Sequence, residues 1–130
     1  MSTKWILADA VQVTLTAAQI TAQTVVTLVT AQPGYAIVPV FQASGYKHGG
    51  TNFSNTSTLT FKIGSTSVGT SSALPLNGQN DAVTFGPFAA LEGLSSALVG
   101  AALTVNSTTG VTTGNGTVEV SLKYYLFKID

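Results

Sequence analysis

The chain has 130 residues, no cysteine and a formal net charge of zero, and only 8% of its residues are charged. This length suits a single domain over residues 1–130, and the missing cysteines exclude disulfides and zinc–thiolate sites. The charge balance disfavours binding to nucleic acid, and no apolar run reaches the ~18 residues that would cross a membrane.

The first predicted elements are two strands with a short polar segment between them. In residues 11–15, apolar and polar side chains alternate, which is typical of a half-buried strand. Thr16 and Gln19 have the spacing of a helix capping box, so this segment forms either one helical turn or a polar loop. The β-branched residues 24–30 predict a second strand, and residues 32–34 (Gln-Pro-Gly) predict a turn.

Residues 35–43 form the most apolar predicted strand. Its apolar side chains fall on both faces, with Ile37 and Phe41 on one and Val38 and Val40 on the other. Pro39 cannot donate a ladder hydrogen bond, which predicts a sheet edge or a bulge at that position. We therefore expect one face or edge of this strand to contact another subunit; a bulge buried within the monomer is the alternative.

Residues 45–57 are rich in glycine, asparagine and serine and predict a long loop that holds the only histidine. Two aromatic residues flank this histidine, and such a loop could bind a sugar or a protein. The residues of this candidate binding loop are Tyr46, Lys47, His48 and Phe53. The alternative is that its aromatic side chains anchor the loop to the core.

The middle of the chain predicts further short strands. Leu59, Phe61 and Ile63 alternate with polar residues, which predicts a strand that is followed by a turn over residues 64–67. The remaining predictions are a loop over residues 75–81, a short strand over residues 81–85, and a short helix within residues 91–103.

The last strand, residues 117–127, has the clearest alternation in the chain. Its even-numbered positions from Val118 to Leu126 are apolar, whereas the odd-numbered positions are polar until Tyr125 and Phe127. The glycine-rich turn at residues 114–116 predicts a hairpin, with residues 101–105 as the antiparallel partner. Together these elements predict an all-β, antiparallel β-sandwich that is jelly-roll-like and has at most one or two short helical turns.

The sequence offers no set of catalytic residues. His48 is the only histidine, and no GxSxG motif is present. Asp81 and Glu92 are the only acidic pair close in sequence, and no aromatic cluster surrounds them. We therefore expect no enzyme activity, no cofactor and no side-chain metal site. A calcium site made of backbone carbonyls would leave no motif, so that alternative stays open.

The low charge and the apolar strands instead predict an interface. A nearly uncharged surface favours self-association, and large exposed apolar patches are usually covered by a partner. The candidate interface residues are Tyr35, Ile37, Val38, Val40, Phe41, Tyr125 and Phe127.

Five segments together resemble small all-β proteins of tailed-phage virions. They are VQVTLTAAQI (11–20), VTLV (26–29), PGYAIVPV (33–40), GGTNFSNTSTLTFKIG (49–64) and NGTVEVSLKYYLF (115–127). The resemblance implies a structural protein of the virion, most plausibly a capsid decoration (cement) protein that binds the major capsid protein as a homotrimer. The alternative is a tail or fibre domain that recognises host carbohydrate through the candidate binding loop.

Overall fold

Nine strands and one six-residue helix form the regular structure of the part of the chain that is described. In chain order they are β1 (Trp5–Leu7), β2 (Val11–Leu15), α1 (Ala17–Ala22), β3 (Val26–Val29), β4 (Tyr35–Lys47), β5 (Leu59–Ile63), β6 (Thr66–Thr70), β7 (Ala82–Pro87), β8 (Leu103–Ser107) and β9 (Thr117–Lys128). The computed structural model describes residues 5–7, 10–54, 57–71, 81–88, 98–108, 111 and 113–128.

The strands form two antiparallel sheets that pack together as a sandwich. The five-stranded sheet has the order β2-β9-β4-β7, and β1 extends the β2 edge along the same side of β9. The four-stranded sheet has the order β3-β8-β5-β6. Apart from β1, this is the strand order of a jelly roll, so the predicted fold class is confirmed.

The core lies between the sheets and follows the alternation of the strands. Leu59, Phe61 and Ile63 of β5 are all buried, as are Val118 and Val120 of β9. The polar residues between them are half-buried or exposed. The predicted registers of β5 and β9 are therefore confirmed, since the apolar positions of one parity face the opposite sheet.

The segment after β2 is helical rather than a polar loop. The Thr16 hydroxyl accepts from the Gln19 backbone N–H at 3.2 Å, and the Gln19 side chain accepts from the Thr16 N–H at 2.9 Å. This capping box satisfies donors that the first turn leaves open. At the other end, the Ser107 hydroxyl donates to the Ile20 carbonyl at 2.9 Å, which ties the short helix to β8.

The predicted final hairpin is wrong. β8, which includes part of residues 101–105, pairs with β3 and β5 in the four-stranded sheet. β9 instead pairs with β1, β2 and β4 in the other sheet. The reason is the jelly-roll topology, in which the connection between these two strands crosses from one sheet to the other.

The structure confirms some of the turns and loops predicted from the sequence and shifts the bounds of others. The turn at residues 32–34 is confirmed, since the Tyr35 N–H donates to the Gln32 carbonyl at 3.1 Å and Gly34 has a φ of 80°. The loop predicted over residues 45–57 begins too early, because β4 continues through Gly45 to Lys47. Residues 75–80 of the predicted loop, and residues 91–97 of the segment predicted to hold a short helix, lie outside the described residues.

Candidate functional site

A β-bulge divides β4 into two parts. Pro39 pairs with Tyr124 and Phe41 pairs with Lys123, so Val40 is an extra residue between two consecutive positions of β9. The pairing of β4 with β7 also starts only at Phe41. At Pro39, β4 therefore pairs with β9 alone among the described strands. Proline fits this position because it has no N–H group to donate to a second neighbouring strand.

The bulge reverses which residues of β4 face the core. Before it, Ile37 is buried; after it, the buried residues are Gln42, Ser44 and Tyr46. Phe41 is 45% exposed, although it has the same parity as Ile37. The prediction that Ile37 and Phe41 share a face is wrong for this reason, and Ile37 belongs to the core rather than to an interface.

The solvent side of the five-stranded sheet, which we call the outer face, carries most of the exposed apolar side chains. Val83 of β7 is 68% exposed, Val40 and Phe41 of β4 are each 45% exposed, and Tyr125 of β9 is 37% exposed. Among the described residues, the one other large apolar side chain with such exposure is Val25, before β3. The other predicted interface residues, Tyr35, Val38 and Phe127, are half-buried.

Small residues and three charged side chains complete the outer face; one of these charges is Lys47, which pairs with Thr117 at the end of β4. Glu119 and Lys123 of β9 are exposed, and Ser121 between them pairs with Ala43 of β4. The Gln12 amide donates to a carboxylate oxygen of Glu119. Gly45 pairs with Val83, and a Cβ atom at Gly45 would lie 3.8 Å from the Val83 side chain.

The aromatic residues of the candidate binding loop are part of the core. Tyr46 is 2% exposed and Phe53 is 1% exposed, and their rings meet edge to face at 6.1 Å. Gly114 and Gly116 allow the chain before β9 to pass close by, since a Cβ atom on either would lie 2.5 Å from Phe53 or from the Lys47 carbonyl oxygen. The alternative that these rings anchor the loop is therefore correct, and they offer no stacking surface for a sugar.

Polar contacts fix the same loop. The Tyr46 hydroxyl and the His48 Nδ1 lie 3.1 Å apart, and the His48 backbone N–H donates to the Asp81 carboxylate at 2.8 Å. Thr51 donates its backbone N–H to the Asn115 side chain at 2.9 Å. Burial, with a smaller contribution from the Asp81 charge, raises the pKa of the Tyr46 phenol above its usual value.

Other kinds of site find little support in the described residues. Nowhere in these ranges do three histidine, aspartate or glutamate side chains come together in a way that could hold a metal ion. Within the same ranges, no helix is long and apolar enough to cross a membrane. The His48 ring contacts the Tyr46 hydroxyl, and the His48 backbone N–H donates to the Asp81 carboxylate.

Comparison with protein-family models, curated proteins and solved structures gives no match to this chain. The fold and the outer face therefore carry the functional argument. Sequence reasoning missed Val83, although the parity of residues 81–85 places it on the same face as Ala43 and Phe41 once β7 is paired with β4.

Proposed function

We propose that the protein is a non-enzymatic structural component of a tailed-phage virion, a capsid decoration (cement) protein that binds the lattice of the major capsid protein. The observation that carries the proposal is the exposure of Val40 and Tyr125, at 45% and 37%, at the end of the outer face next to the bulge. We call this region the bulge end; its residues are Val38, Val40, Tyr125 and Phe127, whereas Tyr35 pairs with Lys128 and has the parity of Ile37.

The bulge end has the character of a protein-binding surface. It combines two aromatic side chains of β9 with aliphatic side chains of β4, and aromatic residues are enriched in protein interfaces. Covering these apolar groups gains roughly 25 cal/mol per Å² removed from water. With only 8% charged residues in the chain, docking would place few charges in a low-dielectric interface, where each would be costly.

The fold is compatible with this role without deciding it. Jelly rolls are common among viral capsid domains and also among lectins, and a fold alone does not specify a function. The lectin-like alternative depended on Tyr46 and Phe53, which are buried. The proposal includes no contact with nucleic acid or membrane, since the net charge of the chain is zero. The resemblance implies three copies, whereas the central charges of the outer face, Lys123 and Glu119, favour two.

Particle co-purification tests the proposal. Particles of a tailed phage whose genome carries the coding sequence would be purified on a density gradient. We expect the protein to sediment with the particles at a fixed ratio to the major capsid protein, and electron microscopy to locate it on the capsid surface. Absence from the particles, or a location restricted to the tail, would overturn the proposal.

Two variants and a matched control connect the binding to the bulge end. Val40→Asp and Tyr125→Asp each place a charge on an exposed site in this region, so the folded protein should form but remain in the unbound fraction. Val25→Asp introduces the same charge at a side chain that is 61% exposed and lies away from the outer face. It should bind particles as the wild type does.

A further inference from the structure

The central part of the outer face has an ordered pattern of charge and size. Three register rows cross β9 and β4 there, each made of residues directly opposite one another. They are the Lys123 row (Lys123 and Phe41), the Ser121 row (Ser121 and Ala43) and the Glu119 row (Glu119 and Gly45); on β7 these rows continue with Pro87, Phe85 and Val83, respectively. One end of this pattern is positive and carries a large ring, while the other end is negative and carries no side chain on β4.

This pattern is complementary to itself under one twofold rotation. If the axis lies along the Ser121 row, the Lys123 row of one copy faces the Glu119 row of the other. Lys123 then faces Glu119 of the second copy, and the Phe41 ring faces the space above Gly45. On the two central strands, Ala43 faces Ala43 and Ser121 faces Ser121, so β4 and β9 present small residues at the axis, where facing sheets pack about 10 Å apart.

The other twofold arrangement lacks this complementarity. With the axis parallel to the strands, each row would face the same row of the second copy. Lys123 would then lie nearest to the Lys123 row and Glu119 nearest to the Glu119 row, so neither charge would gain an opposite partner. Like charges brought together in an interface are unfavourable, which leaves the axis across the strands as the better solution.

We infer that the central outer face binds a second copy of this chain through a twofold axis along the Ser121 row. The exposure of Phe41 and Val83, at 45% and 68%, supplies the apolar area. The Gln12 amide holds the Glu119 carboxylate at the surface. An interface of this kind is closed, because each copy uses the same surface once.

This inference rests on the proposed structural function. The row of Tyr125 and Val38 lies further from the axis than the Lys123 row, whereas Val40 lies beside the Lys123 row, next to Phe41. A pair replaces the three copies that the resemblance implies.

Charge reversal tests the inference, with sedimentation equilibrium as the measurement. The wild type should sediment at twice the 13.3 kDa chain mass. Lys123→Glu and Glu119→Lys should each weaken pairing at least about tenfold, since each places like charges opposite one another. Both sites are exposed, so unchanged circular dichroism spectra should show that the variants fold.

Two combinations of these substitutions should restore pairing. The double variant, Lys123→Glu with Glu119→Lys, again has opposite charges face to face. An equimolar mixture of the two single variants should form a heterodimer, in which both contacts join a glutamate to a lysine. Added salt should weaken the wild-type pair, because solvent at the rim screens the contacts.

Other outcomes would overturn the inference. These are a wild-type mass of one or three chains, pairing that both single variants retain, or a mixture that fails to associate. The particle co-purification assay tests the proposed function separately. A protein that binds particles as a monomer or trimer would overturn the pair alone, whereas a pair that binds no particles would overturn the capsid role alone.

Discussion

Phe41 and Tyr46 are aromatic residues of the same strand, and they have opposite environments. Phe41 is 45% exposed on the outer face, whereas Tyr46 is 2% exposed in the core. The difference arises because, after the bulge at Val40, the even-numbered residues of β4 face the core and the odd-numbered residues face solvent. An aromatic residue in a strand is therefore a candidate for binding or for packing only once its face is known.

The two regions also differ in how closely the backbone packs. Around Tyr46, the chain before β9 approaches so closely that glycine is required at Gly114 and Gly116. On the outer face, a Cβ atom at Gly45 would meet only the Val83 side chain, at an ordinary contact distance of 3.8 Å. One region is a packed end of the sandwich, and the other is an open surface.

The largest expected difference between these regions comes from removing a ring. Phe53→Ala should lower the free energy of unfolding by about 3–5 kcal/mol, because the ring is buried and a cavity would remain. Phe41→Ala should lower it by about 1 kcal/mol or less, since that ring is half in solvent. Urea denaturation of dilute protein measures both. Equal losses would contradict the assignment of core and surface.

A smaller effect should come from adding a methyl group. Gly116→Ala places a Cβ atom 2.5 Å from the Lys47 carbonyl oxygen, which belongs to the backbone and cannot simply rotate away. We expect a loss of about 1–3 kcal/mol. The control is Gly86→Ala on β7, where no heavy atom lies within 4 Å of the new carbon, so stability should change by about 0.5 kcal/mol or less. A tolerated Gly116→Ala would contradict the close packing of residue 116 against the Lys47 carbonyl.

The smallest effect concerns the Tyr46 hydroxyl and its dependence on pH. Tyr46→Phe should cost about 1 kcal/mol at neutral pH through loss of the contact with His48. Because the pKa of this phenol is raised in the folded state, the unfolded chain loses the proton first, from about pH 10. The unfolded state then binds fewer protons, so the stability of the wild type should fall as the pH rises above about 10.

Urea denaturation between about pH 8 and pH 11 would measure this alkaline loss, which the Tyr46→Phe variant should partly lack. Asp81→Asn should reduce the loss only slightly, because burial contributes more than the Asp81 charge to the raised pKa. A wild type and a Tyr46→Phe variant with parallel pH profiles would contradict the burial of the phenol.

The sandwich could be predicted from the sequence because apolar and polar residues alternate along its regular strands. β5 and β9 keep one parity throughout, so their buried residues could be read directly. The sequence could not predict the face of Phe41, because nothing in the residue types around Pro39 distinguishes a bulge from a plain edge. It also assigned Gly45 and Tyr46 to a loop, because glycine-rich composition resembles a turn even where the residues pair with β7 and β9.

The pairing of strands was harder to predict than their existence. The nearest preceding apolar run suggested a hairpin for β9, whereas its true neighbours are β1, β2 and β4. Those contacts join residues at least 70 positions apart, such as Ala36 and Phe127. Local turn chemistry carries no information about such distant pairs, which depend on the closure of the whole sandwich.

The bulge makes this segment tolerant of changes in composition and of one change in length. Many residues could replace Val40, because its side chain is 45% exposed. Its deletion would join Pro39, which pairs with Tyr124, directly to Phe41, which pairs with the next residue of β9, Lys123. The ladder would then be regular, and every later residue of β4 would keep the face that it has now. This site should therefore accept both substitutions and the loss of its one extra residue.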